Sequence, residues 1–311
     1  MISYVHSCKP IQQILTAVIG IIFLGCGCQK KTAIHVFPRA FNIQVPMTFN
    51  DRGIVIKTYW GAEKKCHLLR LDNFSPSWIQ SSAAGYSSSF KKSGQRFKTS
   101  TADGTSIKGA VGICDSLVFE SLLFTEVPFY VMATVPNDKR NDDGVFGADL
   151  MSAGVWKLDF LHGLLTFASS LDSIDGLDRA EVLYSTFTDN HTKIEVKFGS
   201  GITKTMSIDL GYNGYLLLPM DEFEQLRQSK YVVPGTATFS TPASRSVVEQ
   251  RSFLDTVKIN PHQFLTVVAS NEKVKERLVG WRFFKQLDFM IIDFINRKVY
   301  LPKNKDGKVF F

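Results

Sequence analysis

Short apolar runs alternate along the chain with residues that favour turns. The runs Ile54–Ile56, Phe129–Met132 and Ile194–Phe198 are bounded by Gly, Asn, Ser and Asp. Runs of this length at regular spacing are typical of β-strands. The stretch from Pro219 to Leu226 instead predicts a short helix, with acidic residues near its start. The pattern therefore predicts a mostly β fold.

Two of the apolar runs deliver an aspartate into a turn. Leu68–Leu71 leads into Asp72, and Ile208 leads into Asp209, which is followed by a glycine-bearing turn and a second apolar run at Leu216–Leu218. A strand, a turn and a second strand present the carboxylate at the edge of a sheet. These two aspartates are the leading candidates for a functional pair.

Landmarks in the first half of the chain recur in the second half at nearly one offset, and such internal repeats define a fold. The pairs are Asp72 and Asp209, offset by 137 (209 − 72), Gly147 and Gly280, offset by 133 (280 − 147), and Asp159 and Asp293, offset by 134 (293 − 159). The repeat predicts two tandem lobes of similar build.

These motifs resemble the bilobal pepsin/retropepsin-like aspartic proteases, of a bacterial lipoprotein type with altered active-site motifs. The second half is the more specific: Asp209-Leu210-Gly211-Tyr212-Asn213-Gly214 is close to the family's Asp-Thr-Gly-Tyr-Ser-Gly. The resemblance extends from Phe41 to the C-terminus. It implies two β-barrel lobes with a cleft between them, at residues 41–170 and 179–311, joined by a linker at 169–178.

The resemblance also implies the site residues. The catalytic pair would be Asp72 and Asp209, supported by Asn73, Ser75, Gly211, Gly147 and Gly280. In this chemistry two close carboxyl groups share one proton, so that one of them activates water while the other stays protonated. It requires neither a metal nor a cofactor, and its partner would be a peptide or protein held in the cleft.

The chain departs from the family pattern at three positions beside the aspartates. Asn73 and Leu210 replace the hydroxyl residues that tie the two turns together, and Phe74 replaces a glycine, which disfavours a positive φ there. Three functions stay open: an active endopeptidase, an inactive homologue that binds peptides, and an unrelated glycan-binding β-sandwich lipoprotein. Asp72 and Asp209 could also be simple turn-formers.

A polar interval follows Asp72 in the first half of the chain, and an interval in the second half corresponds to it. Residues 81–106 are Ser-rich and polar, and residues 235–260 are the matching interval in the second half. The resemblance implies a flap hairpin for the first interval. An ordinary exposed hairpin is the alternative.

Residues 1–28 have the pattern of an export signal. An apolar segment at 14–24 is followed by small residues, and Phe23-Leu24-Gly25-Cys26 resembles a bacterial lipobox, which would make Cys26 the lipidated residue. Residues 29–40 would be a tether. A plain signal peptide and an uncleaved anchor are the alternatives. All three place the body of the chain outside the cytoplasm, and the lipobox predicts a membrane-anchored lipoprotein of the cell envelope, periplasmic or outer-membrane.

Composition excludes some other classes. The net charge of +7 comes from scattered basic residues without a nucleic-acid-binding motif, so we expect no nucleic-acid partner. The sequence contains no Gly-x-Ser-x-Gly elbow, His-Glu-x-x-His helix or phosphate-binding loop. Only Cys66 and Cys114 lie in the body of the chain, where they could pair or remain free thiols.

Overall fold

The computed structural model describes residues 34–85, 88–100, 106–133, 141–188, 191–228, 230–240, 245–259, 261–304 and 309–310. Residues 34–311 form one compact unit. The predicted export signal, Cys26 and residues 29–33 of the tether lie outside the described residues. None of the helices within these ranges is long and apolar enough to cross a membrane.

The first half of the unit contains twelve strands and two short helices. The strands are β1 (His35–Phe37), β2 (Asn42–Pro46), β3 (Thr48–Phe49), β4 (Ile54–Trp60), β5 (Lys65–Asp72), β6 (Trp78–Gln80), β7 (Phe90–Ser100), β8 (Ser106–Phe119), β9 (Leu122–Met132), β10 (Gly144–Gly147), β11 (Val155–Asp159) and β12 (Leu164–Ala168). The helices are α1 (Ser81–Ala84) and α2 (Ala148–Met151).

The second half follows two 3₁₀ turns, Leu171–Ser173 and Leu177–Arg179. Its strands are β13 (Ala180–Leu183), β14 (Ser185–Thr188), β15 (His191–Phe198), β16 (Thr203–Asp209), β17 (Leu216–Leu217), β18 (Val233–Ser240), β19 (Arg245–Ile259), β20 (His262–Ser270), β21 (Leu278–Gly280), β22 (Phe289–Asp293), β23 (Lys298–Pro302) and β24 (Val309–Phe310). Its helices are α3 (Met220–Arg227), close to the predicted range, and α4 (Trp281–Phe284).

Each half forms a barrel-like sheet with the same strand order. In the first lobe the order is β4-β5-β10-β6-β9-β8, and pairing of β8 with β4 closes the ring. In the second lobe the order is β15-β16-β21-β17-β20-β19, and pairing of β19 with β15 closes it. The strands correspond one to one. The prediction of a mostly β fold with two tandem barrel lobes is confirmed.

A third sheet joins the two lobes. Its order is β13-β23-β22-β11-β12-β2, so each half contributes three strands to it. The two strands at its centre, β11 and β22, are the repeated segments that end in Asp159 and Asp293, and they pair antiparallel with each other. The repeat seen in the sequence is therefore an approximate two-fold relation centred on this sheet.

One apolar core runs through both lobes. Trp60 of the first barrel, Trp156 of the central sheet and Phe264 of the second barrel belong to the same cluster of buried side chains. Helix α3 buries Phe223 and Leu226 in this cluster. The continuous core fixes the two barrels, and hence the ends of β5 and β16, relative to each other.

Cys66 and Cys114 do not form a disulfide. Cys66 is exposed and Cys114 is buried, and both are free thiols. Burial raises the pKa of the Cys114 thiol to about 12, so it stays protonated and unreactive at neutral pH.

Candidate active site

Asp72 and Asp209 occupy equivalent positions at the ends of parallel strands. Asp72 is the last residue of β5 and lies opposite Gly147, the last residue of β10. Asp209 is the last residue of β16 and lies opposite Gly280, the last residue of β21. Each aspartate is only 8% exposed. The fold thus brings together four of the residues that the repeat singled out.

The two turns hold their carboxylates in the same way. Asp72 Oδ1 accepts a hydrogen bond from the backbone N–H of Phe74 at 3.0 Å. Asp209 Oδ1 accepts hydrogen bonds from the N–H groups of Gly211 at 2.8 Å and Tyr212 at 3.1 Å. Each carboxylate is therefore oriented by the backbone of its own turn.

The two carboxyl groups come together: both line the same cleft, and Asp72 Oδ2 lies against Gly211 in the turn that follows Asp209. Burial raises the pKa of both groups, and the neighbouring Asp72 charge raises the pKa of Asp209 further, to well above its ordinary value. The Arg70 charge and the turn N–H groups act in the opposite direction, but burial is the larger effect and both pKa values remain raised. The pair therefore shares one proton over a range of pH.

Three glycines permit the close approach of the turns. A Cβ atom on Gly211 would lie 2.3 Å from Asp72 Oδ2, inside the carboxylate itself. A Cβ on Gly147 would lie 2.3 Å from the backbone of Pro76 and Ser77, and one on Gly280 would lie 2.3 Å from the Gly214 carbonyl oxygen. Any side chain at these positions would force the turns and the carboxylates apart.

Asn73 links the two lobes directly beneath the pair. Its Nδ2 donates to the Ile208 carbonyl oxygen at 3.0 Å, and its Oδ1 accepts from the Leu210 N–H at 2.8 Å. The side chain is completely buried. A single amide can donate and accept at once. Asn73 therefore binds the backbone on both sides of Asp209, and Leu210 contributes only its N–H group to this contact.

The other altered positions are accommodated without backbone strain. Phe74 does not adopt a positive φ; its ring lies 4.4 Å from the His191 ring and packs against the second lobe's cluster around Leu217 and Leu278. Leu210 is buried in the main core. Ser75 Oγ donates to the Pro76 carbonyl oxygen at 3.0 Å and not to the Asp72 carboxylate.

A polar relay supports the Asp72 turn from behind. The Gly147 N–H donates to Ser77 Oγ at 2.9 Å, and Ser77 Oγ donates to Asp149 Oδ1 at 2.6 Å. Burial raises the pKa of Asp149. The Asp149 carboxylate therefore has a structural use in this relay.

A cleft of about 940 Å³ lies over the pair and is lined by both lobes. The hairpin of β7 and β8 contributes Thr99 and Ile107, and the hairpin of β18 and β19 contributes Ala237 and Gln250. Both polar intervals in the sequence thus form hairpins beside the cleft; their tips, 101–105 and 241–244, lie outside the described residues. Within the described ranges, no three His, Cys, Asp or Glu side chains converge on a possible metal site.

Arg70 is a residue of the site that sequence reasoning missed. It lies two positions before Asp72 on β5, lines the cleft, and brings Nη2 to 3.9 Å from Asp72 Oδ2. The signal was a charged residue inside the apolar run Leu68–Leu71, on the same face of the strand as Asp72.

Comparison with known proteins identifies the fold. No protein-family model and no curated protein matches the sequence significantly. Solved structures do match, among them the aspartic proteinase from Irpex lacteus, with a TM-score of 0.57 and 13% sequence identity over 86% of this chain and 99% of that chain. At that identity the match concerns the fold alone. The chain has a pepsin-like fold in which Asp72 and Asp209 stand together at the base of the cleft between the lobes.

Proposed function

We propose that the protein is an aspartic endopeptidase that uses Asp72 and Asp209 to hydrolyse peptide bonds. The observation that carries the proposal is that two buried carboxyl groups, one from each lobe, come together in one cleft, where the Asp72 charge raises the pKa of Asp209. Turn-forming aspartates have no reason to converge from two lobes, since each additional buried carboxylate costs desolvation free energy. The glycan-binding β-sandwich does not account for this pair or for the pepsin-like fold.

The proposed reaction follows from the difference between the two carboxyl groups. Ionised Asp72 accepts a proton from water, and the hydroxide attacks the carbonyl carbon of the peptide bond. Protonated Asp209 donates its proton to the carbonyl oxygen, which gives a tetrahedral diol. Asp72 then gives its proton to the amide nitrogen while Asp209 takes a proton back from a diol hydroxyl, so the C–N bond breaks, the carbonyl re-forms and the two peptides are released.

The cleft and its hairpins support an extended peptide as the ligand. Both hairpins contribute side chains to the cleft, and their outer strands β7 and β18 stand at the ends of their sheets among the described strands. A peptide strand can pair with such an edge through its own backbone. Asn73 supports catalysis by position, because it holds the Leu210 backbone, and therefore the Asp209 turn, against the first lobe.

The proposal is tested by incubating residues 34–311 with a denatured protein mixture between pH 3 and pH 8. We expect cleavage to be maximal in mild acid, where the pair holds one proton, and to fall at least about a hundredfold in Asp72→Asn and Asp209→Asn, because each variant removes an acid–base group. Asp288→Asn, which changes an exposed carboxyl outside the cleft, is the matched control and should cleave as the wild type does.

Absence of cleavage at every pH by a folded wild-type protein would overturn the proposal. The altered flanks at Asn73, Phe74 and Leu210 would then be explained by an inactive homologue that holds a peptide without cutting it. Cleavage that persists in both aspartate variants would equally exclude the pair as its source.

The envelope location is a separate part of the proposal and rests on the sequence alone. Lipidation of Cys26 predicts that the full chain partitions with membranes when produced in a bacterium and that Cys26→Ser releases it. Cys8→Ser is the matched control. Mass spectrometry of the mature N-terminus would distinguish a lipidated Cys26 from a plain signal cleavage.

A further inference from the structure

A cationic side chain is built into the base of the cleft beside the carboxyl pair. Arg70 and Asp72 alternate with Leu71 on β5, so Leu71 enters the core while Arg70 and Asp72 share the face that meets the cleft. Arg70 is 8% exposed, and its only ion pair among the described residues is the contact of Nη2 with Asp72 Oδ2 at 3.9 Å.

Arg70 makes no hydrogen bond with its side chain within the described part of the chain. At 3.9 Å the contact with Asp72 is an ion pair that exceeds hydrogen-bond length. Nε is buried and has no acceptor among the described residues. A guanidinium carries five N–H donors in a planar fork that matches a carboxylate, and buried donors without acceptors are unfavourable. The Arg70 guanidinium can therefore bind a further hydrogen-bond acceptor, and a ligand in the cleft can supply it.

At the strand position two residues before the aspartate, an arginine is present in the first lobe only. The repeat offset of 137 places Ser207 where the second lobe would carry the equivalent of Arg70 (207 − 70). In the first lobe, Gly53 packs over the arginine stem, and a Cβ there would lie 3.3 Å from Arg70 Cδ. The first lobe thus makes room for a cation at this strand position, which the second lobe lacks.

We infer that Arg70 forms an anionic subsite, which selects a peptide carboxylate next to the scissile bond. The inference rests on the proposed function and specifies its substrate class. Nη2 faces Asp72, and the part of the guanidinium that lines the cleft is left for the incoming carboxylate. The equivalent strand position in the second lobe holds Ser207, and Arg282, which lines the cleft from that lobe, donates its Nε hydrogen bond to Asn213. The acidic residue is therefore expected on the Arg70 side of the scissile bond.

The test uses pairs of peptides that contain a cleavage site of the wild-type enzyme and differ only by Glu or Gln at a residue flanking the cut. We expect kcat/KM to be at least about tenfold higher for the Glu peptide at one of the two positions, as a charge-assisted hydrogen bond in a water-poor site allows. Arg70→Met should bring the Glu-to-Gln ratio close to one. Arg251→Met removes an exposed cation paired with Glu224, and should leave that ratio unchanged.

The pH dependence of cleavage separates two roles of Arg70: binding of the peptide carboxylate, and lowering of the pKa values of Asp72 and Asp209. If Arg70 binds the peptide carboxylate, the preference for Glu disappears as the pH falls below about 4, where free glutamate is protonated. If Arg70 only lowers the pKa values of the pair, Arg70→Met shifts the pH profiles of both peptides alike and leaves their ratio unaltered. The second result would overturn the inference.

Binding to Asp209→Asn separates failure of this inference from failure of the proposed function. Asp209→Asn should bind the Glu peptide more tightly than the Gln peptide, and the double variant Asp209→Asn/Arg70→Met should bind both equally. This result supports the subsite even if no peptide is cut. Equal cleavage and equal binding of both peptides overturn it while the protease proposal stands. Peptides with amidated C-termini distinguish a side-chain carboxylate, whose effect persists, from a terminal carboxylate, whose effect is lost.

Discussion

At the scale of single residues, the site depends on groups that are buried and charged, or buried and hydrogen-bonded. Asp209 has its pKa raised well above the ordinary value, first by burial and then by Asp72. A group whose pKa is raised by folding contributes stability at pH values below its unfolded pKa, and this contribution is lost as the pH rises through the folded pKa. The carboxyl pair therefore destabilises the protein at neutral pH.

Asp209→Asn should accordingly raise the melting temperature at pH 7 by a few degrees. The neutral amide removes the cost of ionising a buried pair, and the difference from wild type should shrink as the pH is lowered toward 4. Melting curves of wild type, Asp209→Asn and Asp288→Asn across this range measure the effect. A difference that is independent of pH, or that grows in acid, would contradict the assigned direction of the pKa.

Asn73 is a second buried residue on which the stability of the site depends. Asn73→Ala removes both hydrogen bonds to the second lobe and leaves the Leu210 N–H and the Ile208 carbonyl oxygen buried without this partner. We expect the free energy of unfolding to fall by about 2 kcal/mol or more, measured by urea denaturation. Asn296→Ala, which removes an exposed amide bonded within its own turn to Asp293, should cost less than about 1 kcal/mol.

At the scale of elements, the parallel strand pairs set the position of the carboxylates. Strands β10 and β21 end in glycines opposite Asp72 and Asp209, and the turns after the aspartates fold back against those glycines. The same arrangement occurs in both lobes, which is why the glycine and aspartate landmarks keep almost the same spacing in the sequence.

Gly147→Ala should destabilise the first lobe by about 2 kcal/mol, because its Cβ would meet the Pro76 and Ser77 backbone, which cannot move as a side-chain tip can. Urea denaturation measures the change, and the displaced Asp72 turn should also lower peptide cleavage. Gly235→Ala, where the nearest atom would be 4.0 Å away on an exposed hairpin, is the matched control. Equal stability of the two variants would show that the Asp72 turn is free to move.

At the scale of the whole molecule, the two lobes share one sheet and one apolar core. The central sheet pairs β11 of the first half with β22 of the second, and the buried core continues through it from one barrel to the other. Loss of one lobe would expose the Trp156 face of this sheet and unpair its middle strands. Folding of the lobes is therefore coupled.

Thermal unfolding of residues 34–311 should show one cooperative transition, with the calorimetric enthalpy equal to the van 't Hoff enthalpy. Ile292→Ala, at the centre of β22 opposite Trp156, should lower the melting temperature of both lobes together. Two separated transitions, or a shift confined to probes in the second lobe, would contradict this coupling.

Local sequence determined much of this protein. Alternation of short apolar runs with turn residues specifies β-strands, because side-chain direction in a strand depends only on neighbouring positions. The near-constant offset between aspartate and glycine landmarks specified two lobes, since a duplicated strand–turn unit keeps its internal spacing. The positions of Asp72 and Asp209 could be predicted for the same reason.

Only the tertiary structure decided how the altered positions work. Asn73 replaces a hydroxyl because backbone groups 135 and 137 residues away come within hydrogen-bond reach of its amide. Phe74 is tolerated because its turn needs no positive φ and its ring finds a place against the second lobe. The environment of Arg70, and the pairing of β11 with β22, likewise depend on contacts between distant segments. No local pattern encodes such contacts, since they arise only when the core brings the two lobes together.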